Sequence, residues 1–119
     1  MIDLFCGVGT FSLPFATRVK RLAGIEIVET SIESAKQNAE DNDVTNTYFL
    51  AKDARRGIDE VLENWGIPDV IMLDPPRSGA GGKVMRRIGR LQTDRVVYVS
   101  CNPETFAKDI TWLRDLAMN

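Results

Sequence analysis

Apolar residues along this chain fall into short blocks of two alternating kinds. Ile2 to Phe5, Leu22 to Val28, Thr47 to Ala51, Asp69 to Leu73 and Arg95 to Ser100 are near-continuous apolar or β-prone runs, the pattern of strands buried on both faces. Between them, Phe11 to Val19, Thr30 to Asn42, Ile58 to Trp65, Lys83 to Leu91 and Pro103 to Leu116 carry apolar positions at helical spacing. In the second of these, Ile32, Ala35 and Ala39 fall on one side and Glu33, Lys36, Gln37 and Glu40 on the other. In the fourth, Val84, Ile88 and Leu91 share a face. Pro14 is early enough for a first helical turn, Pro75 and Pro76 stop the fourth strand, and Pro103 suits the first position of a closing helix. Five β-α units of this kind predict a parallel sheet covered by helices. Right-handed crossovers make it a doubly wound, Rossmann-like α/β fold, with ligand sites beyond the carboxyl ends of the strands and the first strand at the centre.

At 119 residues the chain is expected to be a single domain, residues 1–119, with no internal repeat or linker. It starts inside its first strand and stops after the fifth unit, which reads as a fragment lacking an N-terminal region and C-terminal strands. The last strand then offers an open edge for self-association. No apolar run approaches the ~20 residues of a membrane span and no leader opens the chain, so a soluble, cytoplasmic protein is expected, with no membrane partner. A net charge of −2 excludes a binder working by bulk positive charge but leaves room for a local basic patch. The absence of histidine removes Ser-His-Asp and Cys-His pairs and the common histidine-bearing zinc sites. No metal site is expected, and chemistry must run on Cys, Asp, Glu, Lys, Arg or a cofactor. Cys6 and Cys101, roughly two strand spacings of ~4.8 Å apart, are expected to remain free thiols.

The candidate chemistry gathers at the expected carboxyl ends of the strands. Gly7 and Gly9 sit where a strand turns into a helix, a place where glycine permits positive φ and close approach of a ligand to the backbone. Glu26, at the end of the second strand, can accept from both hydroxyls of a ribose. Dinucleotides and S-adenosylmethionine share this arrangement, so the loop does not choose between hydride and methyl transfer, although Ser12 in place of a third glycine tilts away from NAD. Asp53 suits either an adenine amino group or the N-cap of the next helix. Asp74 and Arg77 flank two stiffening prolines at the crevice. Cys101 closes the fifth strand ahead of a helix N-terminus, where the dipole, and Arg77 on the neighbouring loop, favour thiolate. Cys6, among apolar residues, reads as a small buried side chain. Lys83, Arg86, Arg87 and Arg90 recur at i, i+3, i+4 and i+7, either a solvated helix face or a grip on nucleic-acid phosphates. Trp65, Trp112 and Phe106 read as core or partly buried residues rather than base-stacking platforms.

Three segments, Asp3 to Leu13, Asp74-Pro75-Pro76-Arg77 and Ser100-Cys101-Asn102-Pro103-Glu104-Thr105, resemble in order and spacing the motifs of the S-adenosylmethionine-dependent RNA 5-methyluridine methyltransferases. The resemblance runs nearly end to end. It implies a truncated class I methyltransferase core, S-adenosyl-L-methionine as cofactor and ribosomal or transfer RNA as partner. It further implies that Phe5 and Thr10 line the cofactor site, Glu26 holds the ribose, Asp53 faces adenine, Asp74 lies near the methionine part and Cys101 is the nucleophile. Position 10 is often Asn in relatives. By the same resemblance the catalytic base is a glutamate downstream of the cysteine motif. Glu104 is too close to Cys101 to match it, so the base is expected to be missing from this chain and the isolated chain to be inactive or nearly so. A nitrogen-directed methyltransferase and a dinucleotide-binding module are the alternatives. Arg77 and Cys101 oppose the first, and the Ser-Cys-Asn-Pro segment goes unexplained in the second.

Overall fold

The computed structural model describes residues 1–99 and 102–117, with side chains described up to Thr111. Ser100 and Cys101, the expected end of the fifth strand and the candidate nucleophile, lie outside the described residues, as does the side chain of Trp112. The chain runs β1 (Ile2–Leu4), α1 (Ser12–Ala16), β2 (Leu22–Glu26), α2 (Glu29–Asp41), β3 (Thr47–Ala51), α3 (Ala54–Trp65), β4 (Val70–Leu73), α4 (Gly82–Leu91), β5 (Arg95–Tyr98) and α5 (Pro103–Ala117). The five strands form one parallel sheet in the order β3-β2-β1-β4-β5. Doubly wound topology and a central β1 match the expectation from the sequence.

Two cores explain why the strand segments are almost continuously apolar. On one face Ile2, Leu4, Ile25, Ile71 and Leu73 meet Ile58 and Val61 of α3 and Met85, Ile88 and Leu91 of α4. On the other, Cys6 and Phe49 meet Ile32, Ala35 and Ala39 of α2. Each fully buried Ile or Leu contributes about 1.5–3 kcal/mol relative to leaving it in water. Close approach of α3 to the sheet depends on Gly57, where a Cβ would lie 2.5 Å from Cγ2 of Ile25. α5 packs on α4, which brings the last described helix against the loop that precedes α4.

Element ends differ from the sequence expectation where distant polar groups intervene. α1 stops at Ala16, short of Val19, because Asn46 donates its side-chain amide to the carbonyls of Ala16, Val19 and Lys20 and thereby stabilises the non-helical path. α3 starts at Ala54 rather than Ile58 because the Asp53 carboxylate accepts from the Arg56 N–H and caps it. β2 ends at Glu26 rather than Val28, since the Glu26 carboxylate draws the Val28 N–H into a turn. On α4, Met85 rather than Val84 is fully buried. Among the described residues no helix is long and apolar enough to cross a membrane.

Candidate active site

Every candidate loop leaves the sheet at its carboxyl edge with one ladder bond beyond the strand. Cys6 N–H donates to Ile25 O, Lys52 N–H to Glu26 O, Asp74 N–H to Leu4 O and Val99 N–H to Leu73 O. These bonds hold the start of each loop rigidly above the sheet. In the first loop Phe5 adopts φ 61°, a left-handed conformation that costs a non-glycine residue about 1–2 kcal/mol. Such stored strain is characteristic of ligand-binding turns. Gly7 follows at φ 57°, and a Cβ built there would meet nothing within 4 Å, so its backbone is open to a ligand. Gly9 (φ 89°) is instead turned toward Ala35 and Phe49 of the opposite core.

Glu26 ties this loop down. One carboxylate oxygen accepts from Gly7 N–H at 3.2 Å and the other from Val28 N–H at 3.1 Å. Each oxygen keeps a further lone pair for a ligand hydroxyl. Beside it opens a cavity of about 430 Å³, whose lining includes Phe5, Glu26, Ile27, Asp53, Ala54 and Val84. Ile27 is 66% exposed, an apolar side chain offered to the cavity instead of the core, and its role is not apparent in the sequence. Phe5, Glu26 and Asp53 therefore line one cavity. Gly7 reaches the site through its bond to Glu26, whereas Gly9, Thr10 and Asp74 are not among the lining residues of this cavity. Thr10 is exposed. Asp53 is the N-cap of α3, one of the two readings its sequence position offered, and it also lines the cavity.

The Asp-Pro-Pro-Arg loop is fastened to α5. Arg77 O accepts from Asn102 Nδ2 and from Thr105 Oγ1, both at 3.1 Å. Farther along, the buried carboxylate of Asp109 accepts from Ala80 N–H at 2.7 Å, from Gly81 N–H at 3.2 Å and from the Tyr98 hydroxyl. Asn102, Thr105 and Asp109 lie on one helix face, a spacing legible in the sequence, but their backbone partners twenty-five to thirty residues earlier are not. Phe106, 37% exposed, meets Tyr98 edge-to-face. Trp65 is partly buried against the α3–α4 core, with the Arg21 guanidinium over its ring.

Two buried groups have shifted protonation. Burial pushes the Cys6 thiol up to about 12, reinforced by the charges of Asp3 and Glu26, so it is a neutral core side chain. Asp3, in the middle of β1 and 1% exposed, accepts from Ser12 Oγ at 2.5 Å, while its Oδ1 has no hydrogen-bond partner among the described residues. Burial raises its carboxyl to about 6, the Ser12 hydrogen bond opposes that rise, and the nearby Asp74 charge adds to it. Folded Asp3 thus binds its proton more tightly than the unfolded chain, whose carboxyl titrates near 3.8. Stability falls as pH climbs from about 4 through about 6, and the penalty is complete above that. Asp3→Asn keeps an acceptor for Ser12 and removes the charge. It is expected to stabilise the fold at pH 7.5 by up to about 3 kcal/mol, with the advantage disappearing below about pH 4. Paired thermal melts across pH check this, and a constant difference at all pH values contradicts it.

Lys83, Arg86, Arg87 and Arg90 line one concave surface of about 240 Å³, joined by Arg55 of α3, which the helical spacing of α4 alone could not reveal. Arg55 and Lys83 also line the larger cavity, so the two sites adjoin. Arg77, also exposed, lines neither.

A parallel sheet of order 3-2-1-4-5 with a glycine turn after β1, an acid ending β2 and a cavity above both defines a Rossmann-like domain built around a nucleoside-bearing cofactor. The chain belongs to the tRNA (uracil-5-)-methyltransferase family, whose profile matches residues 1–117. It is 39% identical over 115 residues to an uncharacterized RNA methyltransferase of Enterococcus faecalis, covering 97% of this chain and 25% of that protein. It is 42% identical over 109 residues to one of Chlorobaculum tepidum, covering 90% and 23%. The chain therefore spans about a quarter of the length of the curated relatives it matches. Among solved structures, the tRNA (uracil-54, C5)-methyltransferase of Pyrococcus abyssi in complex with S-adenosyl-L-homocysteine superposes with a TM-score of 0.78 at 34% identity, covering 94% of this chain and 27% of that one. The precorrin-6y C5,15-methyltransferase of Geobacter metallireducens, at 18% identity and a TM-score of 0.79 over 98% of this chain and 62% of that one, shares the fold.

Proposed function

We propose that this chain is the S-adenosylmethionine-binding core of an RNA uracil-C5 methyltransferase acting on transfer or ribosomal RNA. The observation that carries the reading is the convergence of Phe5, Glu26 and Asp53 on one cavity above the carboxyl edge of the sheet. At about 430 Å³ it falls within the ~300–1,000 Å³ range of small-molecule and cofactor pockets. Its residues fit the cofactor: Ile27, Ala54 and Val84 give apolar walls for a base, Glu26 retains lone pairs for ribose hydroxyls, and the Gly7 backbone is unobstructed. In this reading the Asp53 carboxylate, which also lines the cavity, accepts from the adenine amino group. Asp74, on the loop after β4 and near enough to Asp3 for its charge to act there, is in the same reading the carboxylate for the ammonium of the methionine part.

S-adenosylmethionine supplies an electrophilic methyl group on a sulfonium. Uracil C5 is too weak a nucleophile to take it unaided, which is why a cysteine is needed. Cys101 adds its thiolate pair to C6, forming a carbon–sulfur bond and pushing electron density onto C5 and the O4 carbonyl. After C5 is methylated, a base removes the C5 proton, the C5–C6 double bond re-forms, and the pair returns to the Cys101 sulfur.

Two measurements test the reading. S-adenosylhomocysteine is expected to shift the NMR resonances of Phe5 and Glu26 in this chain. Glu26→Ala, which removes a charged acceptor, is expected to weaken binding by about tenfold or more; no shift at millimolar ligand contradicts the site. RNA carrying uridine tritiated at C5, given to the protein expressed within its full coding sequence, is expected to release one tritium to water per methyl transferred. Methylation with tritium retained would indicate transfer to nitrogen instead.

A further inference from the structure

α3 and α4 bury adjacent faces in the same core, Ile58 and Val61 beside Met85 and Ile88, so their outer surfaces form a groove. Five cations line it, Arg55 from the first turn of α3 and Lys83, Arg86, Arg87 and Arg90 from α4. No acid is among the lining residues. Asp59 binds Arg87 through Nε at 3.0 Å and Nη2 at 2.6 Å, fixing that guanidinium at the edge of the groove. Arg86 donates Nε to Gly82 O. Arg56, next to Arg55 in sequence, pairs with Asp53. Lys83 with Arg87, and Arg86 with Arg90, are like-charged i,i+4 pairs, each destabilising an isolated helix by about 0.2–0.5 kcal/mol. The whole chain carries a net charge of −2, so this concentration is local.

We propose that the α3–α4 cleft is a subsite for the RNA backbone, taking two successive phosphates of the substrate strand. The inference rests on the reading of RNA as substrate and adds where the strand is held. From Lys83 to Arg90 the helix advances on the order of 10 Å, longer than a single phosphate group. Arginine dominates the set, and its planar fork suits phosphate oxygens. Since Arg55 and Lys83 border the cofactor cavity as well, a strand seated in the cleft passes the mouth of that cavity. An acidic peptide would satisfy the charge but not the link to the methyl-donor pocket.

The test uses a fluorescently labelled RNA stem-loop with an unpaired uridine, titrated at several salt concentrations. The double variant Arg86→Gln/Arg90→Gln is expected to bind at least about tenfold more weakly, with the slope of log K against log salt reduced by about 0.7–0.9 for each phosphate left unneutralised. The double lysine variant at the same positions is expected to retain most of the affinity, and both are expected to bind S-adenosylhomocysteine normally. Arg18→Gln/Lys20→Gln, exposed cations on the segment after α1, removes the same charge elsewhere and is expected to have a small effect. RNA affinity unchanged in the cleft variant, or reduced equally in the control, overturns the cleft. With cofactor binding and tritium release intact, that result leaves the proposed reaction standing. Absence of tritium release and of S-adenosylhomocysteine shifts in the unsubstituted protein removes the reaction itself.

Discussion

Asp109→Ala is expected to lower the melting temperature of this chain by roughly 10 °C, more than any exposed substitution. The carboxylate is 4% exposed and accepts from three donors on two other elements: Ala80 N–H, Gly81 N–H and the Tyr98 hydroxyl. Truncation leaves all three without their acceptor. At about 1–3 kcal/mol for each buried donor left unsatisfied, partly relieved by water, a loss of about 3 kcal/mol or more follows. In a domain of this size each kcal/mol moves the midpoint by about 3–5 °C. Burial, reinforced by hydrogen bonding to Asp109, pushes the Tyr98 hydroxyl well above the usual phenol range, so it remains a donor throughout the working pH range. Tyr98→Phe removes that donor, and the oxygen that the Ala80 backbone also approaches, and is expected to cost about 1 kcal/mol. Asp109→Asn should fall between the two, because its amide nitrogen cannot accept from a backbone N–H. A melt of Asp109→Ala within a degree or two of the unsubstituted chain would show that α5 is not what holds the 79–81 turn.

Strand and helix identities were legible because parallel strands buried on both faces leave little choice of residue, and because α2 and α4 carry clear one-sided patterns. Element ends were less so, since they depend on side chains acting over long sequence separations. Asn46 terminates α1 from thirty residues away, which no local pattern near Ala16 signals. The same reason hid two groupings that only the tertiary structure assembles. Asp109 has the spacing of an ordinary helical acid until the topology sets Ala80 and Tyr98 beside it, and Arg55 joins the α4 cations only once α3 and α4 are neighbours. Within the glycine loop Phe5 lines the cavity, a Cβ at Gly7 would meet nothing, and one at Gly9 would face Ala35 and Phe49, a division the residue types alone do not show. The strand-end position of Glu26 was legible, but not its part in fixing the loop through Gly7 N–H and Val28 N–H.

Cys101→Ala, in the protein expressed within its full coding sequence, is expected to abolish both methyl transfer and covalent capture of RNA bearing 5-fluorouracil. Fluorine at C5 cannot be removed as a proton, so the elimination that frees the sulfur fails and the adduct persists after methylation. Support for Cys101 comes from its chain neighbours. Val99 N–H bonds Leu73 O at 2.8 Å, and Asn102 donates to Arg77 O while its Oδ1 accepts from Glu104 N–H in the first turn of α5. Both flanks are thus fastened to the segment containing Asp74 and Arg77, and the positive end of α5 follows directly in sequence. Cys6 cannot replace it, because burial holds that thiol protonated at about 12 and the side chain sits in the α2-facing core. Cys6→Ala is therefore expected to leave the adduct intact, and Cys101→Ser to lose it, since a serine hydroxyl does not ionise under conditions where a thiol does. S-adenosylhomocysteine binding should survive all three substitutions, which separates loss of the nucleophile from loss of the fold. An adduct that persists in Cys101→Ala, or vanishes in Cys6→Ala with cofactor binding retained, would transfer the covalent role to another residue while leaving the methyl-donor pocket where it is.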